Sequence, residues 1–103
     1  MESPPRKVGI RIAGNTLIPT LQVIAAKGYA ITHCYCEPDR PLWDADKDGR
    51  SFSADSAEAL LGLIAMWEQR GDDWMMRDGE SALLDRVLAS AVTYDADGNV
   101  VEP

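Results

Sequence analysis

The sequence has few of the side chains on which most metal sites and nucleophilic active sites depend. Its 103 residues include one histidine, His33, and two cysteines, Cys34 and Cys36. Two such closely spaced cysteines cannot form a disulfide framework, and a zinc site would need more nitrogen or sulfur ligands than this chain contains. In a strand, His33 would lie on the face opposite the cysteines, which excludes a cysteine–histidine catalytic pair. The two cysteines are therefore predicted to be small buried core residues.

Long apolar runs are also missing. No stretch approaches the ~18 apolar residues of a membrane-spanning helix, and the N-terminal sequence Met-Glu-Ser-Pro-Pro-Arg-Lys lacks the apolar core of a signal peptide. The resulting expectation is a cytoplasmic protein in a reducing compartment. The hydrophobic content of 46% and the charged content of 26% are those of an average globular protein. The length predicts one domain over 1–103, with residues 1–6 frayed.

Basic residues are scarce relative to acidic ones. There are 10 lysines and arginines against 17 aspartates and glutamates, which gives a net charge of −7. This balance argues against nucleic-acid binding and against an anionic membrane surface, because both need a basic face. The acidity is concentrated in residues 37–80, which hold twelve acids against five bases. A basic protein or a cation is the kind of partner that such a segment favours.

Apolar periodicity predicts the elements of the N-terminal half. Alternation over residues 8–12 predicts a first strand, and helical spacing over 17–25 predicts a helix that ends at Gly28. Residues 29–36 are rich in β-branched and aromatic side chains and are predicted to form a second, central strand. Two prolines predict a turn over 37–41.

The second half is predicted to contain one hairpin and two helices. Trp43 and Phe52 alternate with polar residues on either side of an Asp48-Gly49 turn, which is typical of a β-hairpin. A capping-box pattern at 55–58 starts a helix that ends at Gly71. A last helix begins after Gly79 and carries an apolar stripe made of Leu83, Leu84, Val87, Leu88, Ala91 and Val92.

The order of these elements predicts the fold class. The tail, residues 93–103, is expected to contain a short hairpin around Asp97-Gly98. The order is then β-α-β-β-β-α-α, which indicates an α+β fold with a small, mostly antiparallel sheet and helices packed on it. If the first helix is a crossover, the first two strands are parallel.

The acidic hairpin also has some features of a calcium-binding loop. Asp44, Asp46, Asp48 and Asp55 stand at spacings that resemble positions 1, 3, 5 and 12 of an EF-hand, with Gly49 at position 6. An EF-hand would need a helix before this loop, where two prolines stand instead. Hairpin-turn chemistry is therefore the favoured reason for these acids. A calcium-binding module remains the alternative, and no other metal or cofactor is predicted.

A second cluster combines acids with large apolar side chains. Asp72 and Asp73 precede Trp74, Met75 and Met76. Aromatic residues and methionine flanked by polar residues are typical of a protein interface, although these side chains could equally close a core between the last two helices. The predicted contact surface for a protein partner consists of Asp44, Asp46, Asp48, Asp72, Asp73, Trp74 and Met75.

Several stretches resemble small bacterial immunity-type proteins, which are encoded beside polymorphic or contact-dependent toxins. These stretches are Gly28-Tyr29, Trp43 to Gly49, Phe52 to Asp55, Leu60 to Leu63 and Arg70 to Trp74. The resemblance implies a protein without catalytic residues that blocks a toxin by binding it. The leading hypothesis is therefore a non-enzymatic protein-binding module with a basic toxin domain as partner. A homo-oligomeric structural protein that buries Trp74, Met75 and Met76 is a further alternative.

Overall fold

The computed structural model describes residues 8–36 and 39–102. The segment predicted to be frayed, 1–6, lies outside the described residues, as do residues 37 and 38 of the predicted turn. Contacts group the chain into two compact units, the N-terminal unit, Met1–Asp72, and the C-terminal unit, Asp73–Pro103. The expectation of one domain over 1–103 stays a prediction.

The structure confirms the α+β class and roughly the predicted order of elements. The N-terminal unit contains α1 (Leu17–Ala26), β1 (Ala30–Cys36), β2 (Arg40–Lys47), β3 (Arg50–Ala54) and α2 (Ala57–Arg70). The C-terminal unit contains α3 (Ser81–Ala89), β4 (Thr93–Tyr94) and β5 (Val100–Val101).

The main sheet is an antiparallel meander in the order β1-β2-β3. Its register pairs Ile31 with Ala45 and Ala45 with Phe52, so β2 is the central strand. The prediction that residues 29–36 form a central strand is wrong, because β1 lies at the edge. Composition rich in β-branched and aromatic residues marks a strand but does not say how many neighbours it has.

The strand predicted over residues 8–12 does not form. These residues lie outside any helix or strand, and the exposed fractions of Val8, Ile10 and Ile12 are 75%, 87% and 66%. Alternation tells which side chains a strand would bury, but pairing needs a neighbouring strand that the pattern does not specify. The parallel pair expected from a crossover is therefore absent from the described residues.

The core of the N-terminal unit lies between one face of the sheet and the two helices. Ala45, at the centre of the sheet, is fully buried together with Ile24 of α1 and with Leu60 and Ile64 of α2. Because side chains alternate along a strand, the same face presents further apolar residues, which are partly buried against this cluster: Ile31, Trp43, Phe52 and Ala54.

Local capping chemistry fixes both ends of α2, with the N-cap at Ser56, one residue after the Asp55 at which the predicted capping box begins. The Ser56 side chain accepts a hydrogen bond of 3.0 Å from the backbone N–H of Ala59, which satisfies one of the free donors at the helix start. Gly71 ends the helix with φ +75°. At the start of α1, the Thr16 hydroxyl donates to Glu58 of α2 at 2.8 Å, so this side chain joins the two helices and does not cap its own.

In the C-terminal unit, the predicted tail hairpin is confirmed. β4 and β5 pair antiparallel, and the Asp95 carboxylate accepts from the backbone N–H groups of Asp97 and Asn99 at 3.0 and 2.9 Å. The helix α3 forms after Gly79 as predicted but ends at Ala89, so Ala91 and Val92 of the predicted stripe lie beyond it. Its apolar stripe is exposed, however, and no described residue of the C-terminal unit is buried.

Candidate interaction surfaces

The tip of the β2–β3 hairpin carries the first group of predicted contact residues. Asp48 and Gly49 adopt φ +51° and +79°, which is the left-handed geometry of a two-residue hairpin turn. Both residues are exposed. The Asp48 carboxylate is therefore presented at an exposed turn, and the predicted hairpin is confirmed.

Asp44 and Asp46 lie on the face of the sheet that points away from the helices, here called the open face. The register places them beside hydroxyl side chains, with Asp44 opposite Thr32 and Ser53 and Asp46 opposite Ser51. Ser53 donates a hydrogen bond to Asp44. The open face is thus a polar surface with two carboxylates along its central strand, near the acidic tip.

The carboxylate of Asp72 is engaged within the N-terminal unit. Its two oxygens accept from the Arg50 guanidinium at 2.5 and 2.9 Å, and one of them also accepts from Trp67 Nε1 at 2.8 Å. Hydrogen bonds from Trp67 and then from Arg50 hold the pKa of Asp72 below its usual range. The Arg50 guanidinium also lies 4.5 Å from the centre of the Trp67 ring. Asp72 therefore orders an arginine and a tryptophan, which its place in an acidic sequence did not indicate.

The helix-facing side of the hairpin tip is cationic and aromatic. A small cleft of about 100 Å³ is lined by Tyr29, Lys47, Asp48, Arg50 and Trp67. Lys47 Nζ donates to a backbone carbonyl at 2.7 Å and lies 5.4 Å from the centre of the Tyr29 ring. The open face of the hairpin thus carries Asp44 and Asp46, whereas Lys47 and Arg50 lie toward the helices, together with Asp48.

The cysteines of β1 are exposed and free, so the prediction that they are buried is wrong. Cys34 and Cys36 lie on the open face, since Cys34 pairs with Leu42, next to Trp43 on the helix-facing side. Partial desolvation, then the neighbouring Cys36, raises the pKa of the Cys34 thiol. A thiol with a raised pKa is a poor nucleophile and a poor metal ligand at neutral pH.

His33 occupies the opposite face of β1, as the sequence predicts. Its ring stacks on Trp43 with the ring centres 3.9 Å apart, and Nδ1 lies 3.1 Å from the carbonyl oxygen of Leu42. The histidine thus belongs to an aromatic cluster with Trp43 and Tyr35. This arrangement keeps the imidazole apart from both thiols.

The four aspartates of the alternative calcium site are not brought together. Asp48 lies at the turn, whereas Asp55 follows Ala54, which pairs with Trp43 further along the hairpin. At about 3.3 Å per residue, roughly 15 Å or more of strand separates the two levels. Among residues 8–36 and 39–102, no group of three or more histidine, cysteine, aspartate or glutamate side chains could hold a metal ion.

Asp73, Trp74 and Met75, the remaining predicted contact residues, belong to the C-terminal unit. All three are exposed, and the exposed fractions of Trp74, Met75 and Met76 are 46%, 61% and 75%. Arg77 donates to the backbone carbonyl of Asp73 at 2.9 Å, so this segment forms an ordered bend. These large side chains remain accessible and do not form a core.

The apolar stripe of α3 is a further exposed surface of the C-terminal unit, which the sequence predicts as a helix face but not as a contact surface. α3 exposes four aliphatic side chains by 56–62% each: Leu83, Leu84, Val87 and Leu88. Beyond the helix, a groove of about 280 Å³ is lined by Ala91, Val92, Thr93, Val100, Val101 and Glu102. The sequence pattern of such a stripe is the same in a core helix and in an interface helix, because periodicity shows only that one face of the helix is apolar.

Within the part of the chain that the structure describes, no helix has the length and apolar character needed to cross a membrane. No protein-family model, curated protein or solved structure matches this chain. Its function must therefore be inferred from its own surfaces.

Proposed function

We propose that this chain is a non-enzymatic protein-binding module of the immunity type, which neutralises a cognate toxin by covering it. The proposed mode of action needs no chemical step and no cofactor. The partner is a basic toxin domain encoded by the adjacent gene, as the resemblance to immunity-type proteins implies.

One observation carries the proposal, which is the exposed apolar surface of the C-terminal unit. Trp74, Met75 and Met76 are exposed, as is the α3 stripe. Groups of large exposed apolar side chains are unusual in monomeric proteins and mark interaction sites. Tryptophan is also among the residues that most often dominate binding energy. We therefore assign the affinity of the proposed complex to this surface.

The acidic residues supply the second part of the proposed recognition. Asp44, Asp46 and Asp48 are grouped on the open face and at the tip of one hairpin. Complementary charges mainly raise the association rate and exclude wrong partners. Asp72 contributes differently, because its carboxylate is already used by Arg50 and Trp67. We accordingly remove Asp72 from the direct contact residues and retain it as a structural acid.

The test is to express the adjacent gene product with this chain, purify the complex and measure its dissociation constant. Trp74→Ala combined with Leu84→Ala is expected to weaken binding by about 100-fold or more, the loss typical of a pair of central contact residues. The matched control is Tyr35→Ala, which removes an aromatic side chain that is 73% exposed on β1. This control should leave the dissociation constant unchanged.

Two outcomes would count against the proposal in different ways. Absence of binding to the adjacent gene product at micromolar concentrations would overturn the immunity function. Binding that resists the double substitution but is lost in the control would overturn the assignment of the surface. A triple Asp44→Asn, Asp46→Asn, Asp48→Asn variant should slow association and reduce its dependence on salt.

A further inference from the structure

The outer edge of β1 lacks the features by which natural sheets protect an edge strand. β1 has the sequence Ala-Ile-Thr-His-Cys-Tyr-Cys, without lysine, glutamate, aspartate, arginine or proline, and every residue except Ile31 is exposed. Sheet edges normally carry charges, prolines or bulges, because unpaired backbone groups otherwise recruit another strand. The opposite edge, β3, is shorter and begins with Arg50. The outer edge of β1 is therefore suited to pair with a further strand.

The segment Val8–Ile12 has the sequence of a strand suited to pair with this edge. Its apolar residues Val8, Ile10 and Ile12 alternate with Gly9 and Arg11, which is the pattern of a strand with one apolar face. The chain leaves this segment off its own sheet, with Ile10 exposed by 87%. Three exposed aliphatic side chains at a spacing of two residues lack the apolar face against which they would pack.

We propose that Val8–Ile12 of one copy pairs with the free edge of β1 in a second copy, reciprocally, so that the chain forms a strand-exchanged dimer. Each sheet would then gain a fourth strand. The exchange concerns only the N-terminal unit and does not involve Trp74 or the α3 stripe.

The two faces of the sheet determine which side chains of the added strand point toward the helices. Val8, Ile10 and Ile12 would extend the apolar, helix-facing side, where β1 presents Ile31 and β2 presents Ala45. Arg11 would then lie on the open face, the side that carries Asp44 and Asp46. A slip by one residue would place Arg11 over the apolar face, so the face on which each side chain lies is specified.

Reciprocal exchange explains why the association stops at two copies. Among the described residues, the N-terminal unit has one such segment and one unprotected edge, and a two-fold axis uses both at once. The exchange therefore leaves no free β1 edge for a third copy, which limits growth into filaments.

A cysteine cross-link tests this arrangement, because the native thiols lie on the open face. In Arg11→Cys, the new thiol would face the row of Cys34 and Cys36 in the other copy, at a Cα separation of about 4.5–5.5 Å, which a disulfide can span. Air oxidation should therefore give a covalent dimer, with residue 11 linked to residue 34 or 36 in peptide mapping. The matched control, Ile10→Cys, places its thiol on the opposite face and should not form these links.

The other outcomes overturn the proposal. A link from residue 11 to residue 34 or 36 within a single chain would show that the segment pairs with its own sheet. Absence of any such link, or equal linking in Ile10→Cys, would show that the segment does not occupy this edge.

Sedimentation provides a second measurement, in which the wild-type chain should be a dimer at micromolar concentrations and Ile10→Asp a monomer. Ile18→Asp, at an α1 position that is 71% exposed, should remain a dimer.

Discussion

A single carboxylate, that of Asp72, joins a strand to a helix in this protein. It accepts hydrogen bonds from Arg50 of β3 and from the indole of Trp67 in α2. The Trp67 ring also makes an edge contact with Phe52, with the ring centres 5.8 Å apart. Since the indole N–H is the leading cause of the lowered pKa of Asp72, this donor can be tested by itself.

Trp67→Phe keeps an aromatic ring against Phe52 and beside Arg50 but removes the indole N–H. We expect the pKa of Asp72 to rise toward the ordinary aspartate value, because one donor to its charged form is lost. Carbon-detected NMR titration of the Asp72 carboxyl would measure the shift. An unchanged pKa would show that Arg50 alone sets it.

The lowered pKa of the Asp72 carboxyl predicts how acid changes the stability of the folded chain. The pKa of Asp72 is lowered in the folded chain, whereas the unfolded value is about 3.9. Its contribution to stability is therefore fully present above about pH 4 and is lost as the pH falls toward the folded value. Asp72→Asn should be less stable than the wild type at pH 7, and the difference should shrink below about pH 4. Urea unfolding between pH 2 and 7 would measure both chains.

Two exposed glycines should respond oppositely to the same substitution. Gly49 has φ +79° at the hairpin turn, whereas Gly62 lies within α2, and neither would place a Cβ within 4 Å of another atom. Gly49→Ala should cost about 1–2 kcal/mol, because only its backbone conformation is unfavourable for alanine. Gly62→Ala should stabilise the chain by up to about 1 kcal/mol, because alanine is the better helix former. Thermal unfolding would measure the change in stability of both variants, and changes of the same sign would contradict one of the two explanations.

At the residue scale, the sequence predicts roles set by near neighbours and misses those set by distant ones. The turn at Asp48-Gly49 and the end of α2 at Gly71 depend on residues a few positions away and were predicted. The partnership of Asp72 with Arg50 spans 22 positions, and no local pattern encodes it. The thiol of Cys34 was predicted to be buried, because composition cannot show that one face of its strand remains open.

At the scale of elements, two helices with similar apolar patterns have different environments. Leu60 and Ile64 of α2 are fully buried, whereas Leu83, Leu84 and Leu88 of α3 are each at least 58% exposed. The end of α2 at Gly71 and the start of α3 after Gly79 were predicted, whereas α3 ends at Ala89, before Ala91 and Val92 of its predicted stripe. Which surface each apolar face meets is decided by tertiary packing, and so the α3 face could not be identified as a contact surface from the sequence.

This difference in burial predicts that a leucine-to-alanine substitution destabilises the chain more in α2 than in α3. Leu60→Ala should destabilise the chain by about 2–5 kcal/mol, because it opens a cavity in the core. Leu84→Ala should change the free energy of unfolding by about 0.5 kcal/mol or less, as exposed substitutions usually do. Denaturant unfolding compares the two variants directly. A large loss of stability in Leu84→Ala would mean that α3 stabilises the fold and would count against its assignment as a binding surface.

At the scale of the whole molecule, burial is confined to the first unit. The seven buried residues among those described all precede Asp73: Thr20, Ile24, Tyr29, Ala45, Ala57, Leu60 and Ile64. The C-terminal unit is shorter than the ~40 residues below which a chain usually needs additional stabilisation. Average composition predicted a globular protein but could not show that the apolar residues are so unevenly buried.

A chain of residues 1–72 is accordingly expected to fold by itself. Its thermal unfolding should be cooperative, with a midpoint close to that of the full chain, because all the buried residues are retained. It should also lose affinity for the proposed partner, because the Trp74 and α3 surfaces are absent. Calorimetry checks the first expectation and titration with the adjacent gene product checks the second. Failure of residues 1–72 to fold would show that the C-terminal unit stabilises the rest.

The meander topology also bears on how quickly the chain reaches its native state. Every strand pairing joins strands that follow one another along the chain, β1 with β2, β2 with β3 and β4 with β5. Short loops close at little entropic cost, and low contact order is associated with folding within microseconds to milliseconds. The slow step should then be the docking of α1 on α2, because the hydrogen bond from Thr16 to Glu58 closes a loop of 42 positions. Stopped-flow refolding of Thr16→Val would show whether that contact is already formed in the transition state.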